Sequence, residues 1–490
     1  MRTLLALLPA LSLLGFLACG AGSGTSAADH GGASAGGAGA ISGQSNQAGG
    51  GTANAGGSAL AGSAGDNAGS LAGGGSGNAL GGASSAGSSS GGAANAGAAN
   101  AGASAGGNAN AGAPNGGASG GPASGCGAIG GGALSGLPTQ AQVLQLLRLS
   151  NDYFVAKWPD PSINIDKAHA SNIWTRAVYY EGLMALYGVE TDATRKASYY
   201  DYAVKWGSSA SHPWQLVGGV TTRSADNQCS GQTYLDLYQI DAQAVRVHDI
   251  KADIDAMVSS TGNGDWTWVD AIQMSMPVFA KLGVAFASTG YFDKMHALYV
   301  NAKTTQGFYN PTDHLWWRDK TFEPPFTTSN GKQCYWSRGN GWVFAALTRV
   351  LGIVPSNAPN RAEYVADFSA MAAALQKAQR SDGFWNVSLA DPNDHGGPES
   401  TGTALFMYGM AWGVRTGLLD AASYGPTIAK AWCALTSAVH SNGALGYAQG
   451  SGSKPADSQP VTFDSVPDYP DFPLGCLLLG GSEVWRLATP

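Results

Sequence analysis

From Val143 onward, apolar residues return at helical spacing: Val143, Leu147, Ser150 and Phe154 share a face, with Leu144, Leu146 and Tyr153 alongside. The same rhythm continues with few strand-like alternations. It predicts helices over 139–157, 174–187, 193–207, 230–246, 249–258, 268–288, 290–303, 340–352, 360–378, 402–416, 422–439 and 473–487. Between them recur polar turns that carry Gly and mostly run into aromatics: Gly264-Asp265-Trp266, Gln306-Gly307-Phe308-Tyr309, Ser381-Asp382-Gly383-Phe384-Trp385 and Ser441-Asn442-Gly443-Ala444. A turn that repeats through paired helices indicates an array of helical hairpins. Six hairpins close as an all-α (α/α)6 toroid, with Leu477-Leu478-Leu479 available to seal the ring; an open superhelical array is the alternative.

The pattern is missing from the first part of the chain. Between Leu17 and Leu147 there is no Lys, no Arg and no aromatic residue, and Gly, Ala, Ser and Asn dominate. Such a stretch cannot bury enough apolar surface to offset its chain entropy. The expected organisation is a signal peptide over 1–18, a disordered Gly/Ala/Ser/Asn-rich tether over 19–136, and a catalytic domain over 137–490. A coil of that length would hold the domain on the order of 50 to 60 Å from its anchor. Arg2 and the leucines up to Leu17 read as the basic and apolar parts of the signal peptide. Phe16-Leu17-Ala18-Cys19-Gly20 resembles a bacterial lipobox, which makes Cys19 the expected lipidation site; ordinary cleavage after Ala18 is the alternative. The expected location is the bacterial outer membrane, periplasmic or at the cell surface, with membrane contact through the anchor only.

Charge narrows the partners. The formal net charge is −7, and no Lys/Arg cluster suited to a phosphate backbone is present, which argues against nucleic acid. An acidic sugar would have to be held by a few placed cations. After Cys19 the cysteines are Cys126, Cys229, Cys334, Cys433 and Cys476, with no CxxC pair and no zinc-type spacing, so no metal and no cofactor is expected. Cys433 and Cys476 sit in apolar runs that suit burial. Disulfide pairing and oligomeric state are open.

All 14 tryptophans follow the tether, many beside loops. Trp faces stack on the C–H faces of pyranose rings. Trp174, Trp266, Trp317, Trp336 and Trp342 are candidates for lining sugar subsites, while core packing explains part of the wider set, which includes Trp214, Trp268, Trp316 and Trp385. Two aspartates fall at expected helix starts, Asp226 in Ser224-Ala225-Asp226-Asn227-Gln228 and Asp270 in Trp266-Thr267-Trp268-Val269-Asp270. In a toroid the starts of inner helices converge, so the two can face each other. Position favours helix capping for Asp226. Asp270, set among Trp266, Trp268 and Met274, should be partly desolvated, which raises a carboxyl pKa toward the range of a general acid. Arg338, between Trp336 and Trp342, suits bidentate capture of a carboxylate; an ion pair to Asp319 or Glu323 is the structural alternative. Glu399 reads as a helix-terminal residue with a structural role.

In their order, Trp266-Thr267-Trp268-Val269-Asp270-Ala271, Leu315-Trp316-Trp317-Arg318-Asp319, Trp336-Ser337-Arg338-Gly339-Asn340-Gly341-Trp342, Asp382-Gly383-Phe384-Trp385 and Glu399-Ser400-Thr401-Gly402-Thr403 resemble the unsaturated rhamnogalacturonyl hydrolases of glycoside hydrolase family 105, relatives of the unsaturated glucuronyl hydrolases of family 88. The resemblance spans about Trp174 to Trp485. It implies an (α/α)6 barrel that removes a terminal 4,5-unsaturated uronic acid from lyase-generated oligosaccharides by hydrating the enol ether, with neither metal nor covalent intermediate. It further implies Asp270 as general acid/base, Asp226 as its assistant, and Trp336 and Arg338 as holders of the uronate. Two departures touch the binding site. Arg318 stands where a His is expected, and Asn227 where a second Asp is common; both leave the aglycone and the uronide open. A conventional two-carboxylate glycosidase and a non-catalytic glycan-binding protein are the other readings.

Overall fold

The computed structural model describes residues 134–467 and 471–490; the signal peptide, Cys19, Cys126 and nearly all of the tether lie outside them. Helix α1 (Gln140–Lys157) opens with a capping box between Thr139 and Gln142. There follow α2 (Trp174–Val189), α3 (Ala193–Gly207), the short α4 (Ala225–Gln228), α5 (Ser230–Ile240), α6 (His248–Ser259), α7 (Asp270–Ala285), α8 (Thr289–Val300), α9 (Ser337–Ile353), α10 (Arg361–Lys377), α11 (Ser400–Arg415), α12 (Ala421–Ala438) and α13 (Phe472–Leu487).

Six of these form a closed cycle: α2 packs on α5, α5 on α7, α7 on α9, α9 on α11, α11 on α13, and α13 returns to α2. The inner helices are apolar nearly all round; α11 is buried from Ser400 to Gly413. The outer helices show one buried stripe, such as Ile250, Asp253, Ile254 and Met257 of α6. Closure depends on close backbone approach. A methyl group built on Gly182 would stand 2.4 Å from the Gly475 carbonyl oxygen, and one on Gly475 would stand 2.2 Å from that of Val178. Leu477, Leu478 and Leu479 are buried in this seam. Outside it, α1 packs on α13, and the Gln140 amide donates to the Thr489 carbonyl at 2.9 Å.

The recurrent turns have a physical role. Gly307, Gly383 and Gly443 adopt φ of +86°, +91° and +94°, conformations that favour glycine. Gly383, after α10, lies against the Lys430 carbonyl of α12, and Gly443, after α12, lies against the Leu149 carbonyl of α1. The Gly383 and Gly443 turns thus lock one outer helix to the next, whereas Gly307 lies against the Glu323 side chain.

Three local expectations change. The helix expected over 230–246 stops at Ile240, because Arg246 turns back and donates from Nη1 to the Leu237 carbonyl at 2.7 Å, capping the helix end. Two short antiparallel ladders appear, β1 (Tyr309–Asn310) with β2 (Leu315–Trp316), and β3 (Trp385–Asn386) with β4 (Pro398–Glu399). Cys433 takes part in a disulfide, whereas Cys229, Cys334 and Cys476 are buried free thiols.

Candidate active site

The starts of the inner helices meet at one end of the ring and bring the two aspartates together. Asp226 lies in the first turn of α4, which packs against the start of α7, where Asp270 is the first residue. Neither caps its helix. The capping expectation for Asp226 is therefore set aside: its carboxylate accepts no hydrogen bond from any described residue. Burial, reinforced by repulsion from Asp270 and offset by Arg318, pushes the Asp226 carboxyl up to about 7. Asp270 is only 7% exposed, and burial raises its carboxyl too, against the pull of Arg318 and then Arg338.

Arg318 joins this pair. Its Nε stands 3.5 Å from Asp270 Oδ2, too far for a good hydrogen bond, and both atoms are buried without a hydrogen-bond partner. Its Nη1 donates to Asp319 Oδ2 at 2.6 Å. The position is fixed from two sides. The Val269 amide donates to the Arg318 carbonyl at 2.9 Å, and Asn340 clamps the preceding strand, accepting from the Trp316 amide at 2.8 Å and donating to its carbonyl at 3.0 Å.

The Trp-Ser-Arg-Gly-Asn-Gly-Trp run at the start of α9 acts largely as a scaffold. Arg338 is fully buried and donates from Nη1 and Nη2 to the carbonyls of Gln449 and Gly450, both at 2.8 Å. Its guanidinium lies 4.5 Å from the Trp336 ring and 4.8 Å from that of Phe472. Arg338 makes no ion pair to Asp319 or Glu323, and with both Nη atoms on backbone carbonyls only its Nε lacks a partner. Trp336 is 1% exposed and donates to Gln449 Oε1 at 2.8 Å. Gln449 in turn donates to the carbonyls of Lys454, Pro455 and Asp457, so one buried amide organises the 449–457 loop over the site. Glu399 caps α11, accepting from the Thr401 and Gly402 amides at 2.9 and 2.6 Å, as its position suggested.

The aromatic candidates separate. Trp266 is buried against Phe279, and Trp342 is buried edge-on to Trp174 and Phe472, so neither offers a face to a sugar. Trp268, two residues on from Trp266, is partly exposed instead. Trp174 is partly exposed at the start of α2, stacked on Phe472. Trp317 is 8% exposed and tied by Nε1 to Gln333 Oε1 at 3.0 Å. Asn227 points away, donating to Thr222 Oγ1 at 2.6 Å within the 218–222 turn. Gln449 and Asn340 are site organisers not singled out from the sequence. Gln449 sits in an aperiodic polar loop, whereas Asn340, held between two glycines in a helix, carried a signal that was read only as part of the motif.

Comparison with known proteins adds to this geometry. Residues 148–488 match Glycosyl Hydrolase Family 88. An unsaturated 3S-rhamnoglycuronyl hydrolase of Formosa agariphila is 30% identical over 340 residues, which span 65% of this chain and 86% of the relative. The solved structure of a family 88 glycosyl hydrolase from Bacteroides vulgatus is 31% identical, with 71% of this chain and 99% of that chain covered and a TM-score of 0.64. A second solved structure, described as a polysaccharide lyase, is 29% identical, covers 71% of this chain and 98% of its own, and has a TM-score of 0.63.

Proposed function

Since this chain belongs to glycosyl hydrolase family 88 and is a glycoside hydrolase, we propose that it releases a terminal 4,5-unsaturated uronic acid from rhamnoglycuronyl-type oligosaccharides. The observation that carries the reading is the Asp226/Asp270 pair: one partly buried and one buried carboxyl without capping duties, close enough to repel, beside one incompletely paired arginine. Two such groups titrate as a unit and favour holding a single proton near neutral pH. One carboxyl donates and the other accepts, which is the state hydration chemistry requires.

In this reading Asp270 delivers its proton to C4 of the enol ether. Water adds at C5, losing a proton to the carboxylate pair, and the resulting hemiketal opens and expels the aglycone. The ring carboxylate is held by Arg318, whose Nη2 makes no hydrogen bond to any described residue. Trp174 and Trp268 supply the faces on which sugars stack. The lipid anchor at Cys19 and an outer-membrane location belong to the same reading and rest on the sequence of the signal region alone.

A polysaccharide lyase would use a similar pair to remove the C5 proton and create the enol ether, so absorbance separates the two. The chain is offered lyase-generated oligosaccharides and, separately, the intact polymers. Loss of the ultraviolet absorbance of the conjugated uronate supports hydration, a gain on intact polymer would establish a lyase, and no change across the panel would refute both. Asp270→Asn should lower turnover by roughly 10² to 10⁴ with the helical circular dichroism unchanged; near-normal turnover removes Asp270 from the acid role.

A further inference from the structure

At the end of the ring opposite the aspartates, where all six inner helices terminate, lies a cavity of about 440 Å³. Small-molecule sites commonly measure about 300 to 1,000 Å³. The catalytic reading makes no use of it. Four cations, Lys281, Arg349, Arg415 and Arg486, face three carboxylates there. Most of these charges are consumed by one another. Lys281 donates to Asp236 at 2.6 Å, while Arg415 and Arg486 share Glu483 at 2.7 and 3.2 Å.

Arg349 is paired in charge with Glu181 but is not hydrogen-bonded to it. Its Nε donates to Gln232 Oε1 at 3.0 Å, which sets the plane of the guanidinium. Its Nη1 stands 3.7 Å from Glu181 Oε2, beyond hydrogen-bond reach. That oxygen already accepts from Gln273 Nε2 at 2.9 Å, and the other from Cys229 Sγ at 3.3 Å. Neither Nη atom donates a hydrogen bond to any described residue, yet the side chain is only 9% exposed. A nearly buried, oriented fork with two idle donors is costly until an acceptor meets it. Tyr408 and Trp412, 8% and 5% exposed, also line the cavity and make part of its wall apolar.

We propose that this basal cavity is a second binding site, independent of the catalytic end, for an organic carboxylate of monosaccharide size held in plane by Nη1 and Nη2 of Arg349. The six converging helix C-termini carry partial negative charge and disfavour anions. Arg349 is balanced in charge by Glu181 and the surplus cation belongs to the Arg415–Arg486–Glu483 group, so the lining as a whole is net positive, and the preset fork with two donors to spare favours a planar anion over a cation.

The test is isothermal titration of the full chain with D-glucuronate, with D-glucose as the uncharged control. Arg349→Gln should weaken one binding component at least tenfold. Ala185→Phe, which fills the cavity from α2 and leaves every charge in place, should abolish the same component. Should Arg349→Gln fail to fold, Ala185→Phe still decides. Wild-type isotherms in a folded variant, glucose binding equal to glucuronate, or no component removable by these substitutions would each overturn the proposal and leave the cations as neutralisers of helix ends. Turnover plays no part in this readout, so failure of the catalytic reading would be seen separately.

Discussion

Asp226 and Asp270 differ in what surrounds them, and the difference sets a pH dependence. The native state holds Asp226 at about 7, against about 3.9 for an ordinary aspartate. A carboxyl raised on folding favours the native state while it is protonated. That contribution is full below the unfolded value and is lost as pH climbs through the folded one. Asp226→Asn should therefore melt higher than the native chain at about pH 8, by roughly 1–3 °C, with the gain vanishing near about pH 4. Turnover of the native chain should fall as pH rises past about 7, where the pair loses its shared proton; a rate flat to about pH 9 would contradict the dyad. Arg318→Gln should raise KM for the charged substrate about tenfold to a hundredfold, as expected for one charge-assisted bond, with a smaller change in kcat. Helix-start position was enough to let both aspartates face one cleft, but it favoured capping for Asp226, whose catalytic part came only from the family resemblance. Which tryptophan faced solvent was not legible: Trp266 and Trp268 are two apart in one short segment, and only the packing against Phe279 decided between them.

Helices were the most legible elements, because each carries several turns of periodic apolar residues whose signal adds. The segments that shape the site have no such redundancy. Two-residue strands, and the 449–457 loop held by one buried glutamine, leave no pattern along the chain. Gln449 accepts from Trp336 and donates to three carbonyls, and the loop's own carbonyls receive Arg338. Gln449→Ala should then release several buried partners at once. We expect a loss of about 1–3 kcal/mol in denaturant unfolding together with a raised KM, because Trp336 and Arg338 lose the surface that positions them. An unchanged KM with lowered stability would confine the loop to a structural role.

Closure of the whole ring brings together two glycines from opposite ends of the folded domain, Gly182 and Gly475. The sequence hinted at this through the apolar run at Leu477, but the pairing of a segment near 180 with one near 475 is a long-range fact that no local pattern encodes. Gly475→Ala places a methyl group against backbone rather than a yielding side chain. It should cost about 1–3 kcal/mol by overpacking and lower the melting temperature, whereas Gly219→Ala, with open space around it, should report only its left-handed backbone strain.

The amide of Gln140 already reaches the carbonyl of Thr489. The order in which the helices are synthesised is thus, in structural terms, an arbitrary cut in a circle. A short linker joining residue 490 to residue 137, with new ends opened in the solvent-facing bend near Asn357, would leave every inner-helix neighbour as it is. Synthesis, by contrast, leaves an unsealed crescent until α13 emerges, so α2 waits longest of all the inner helices for the neighbour that covers it.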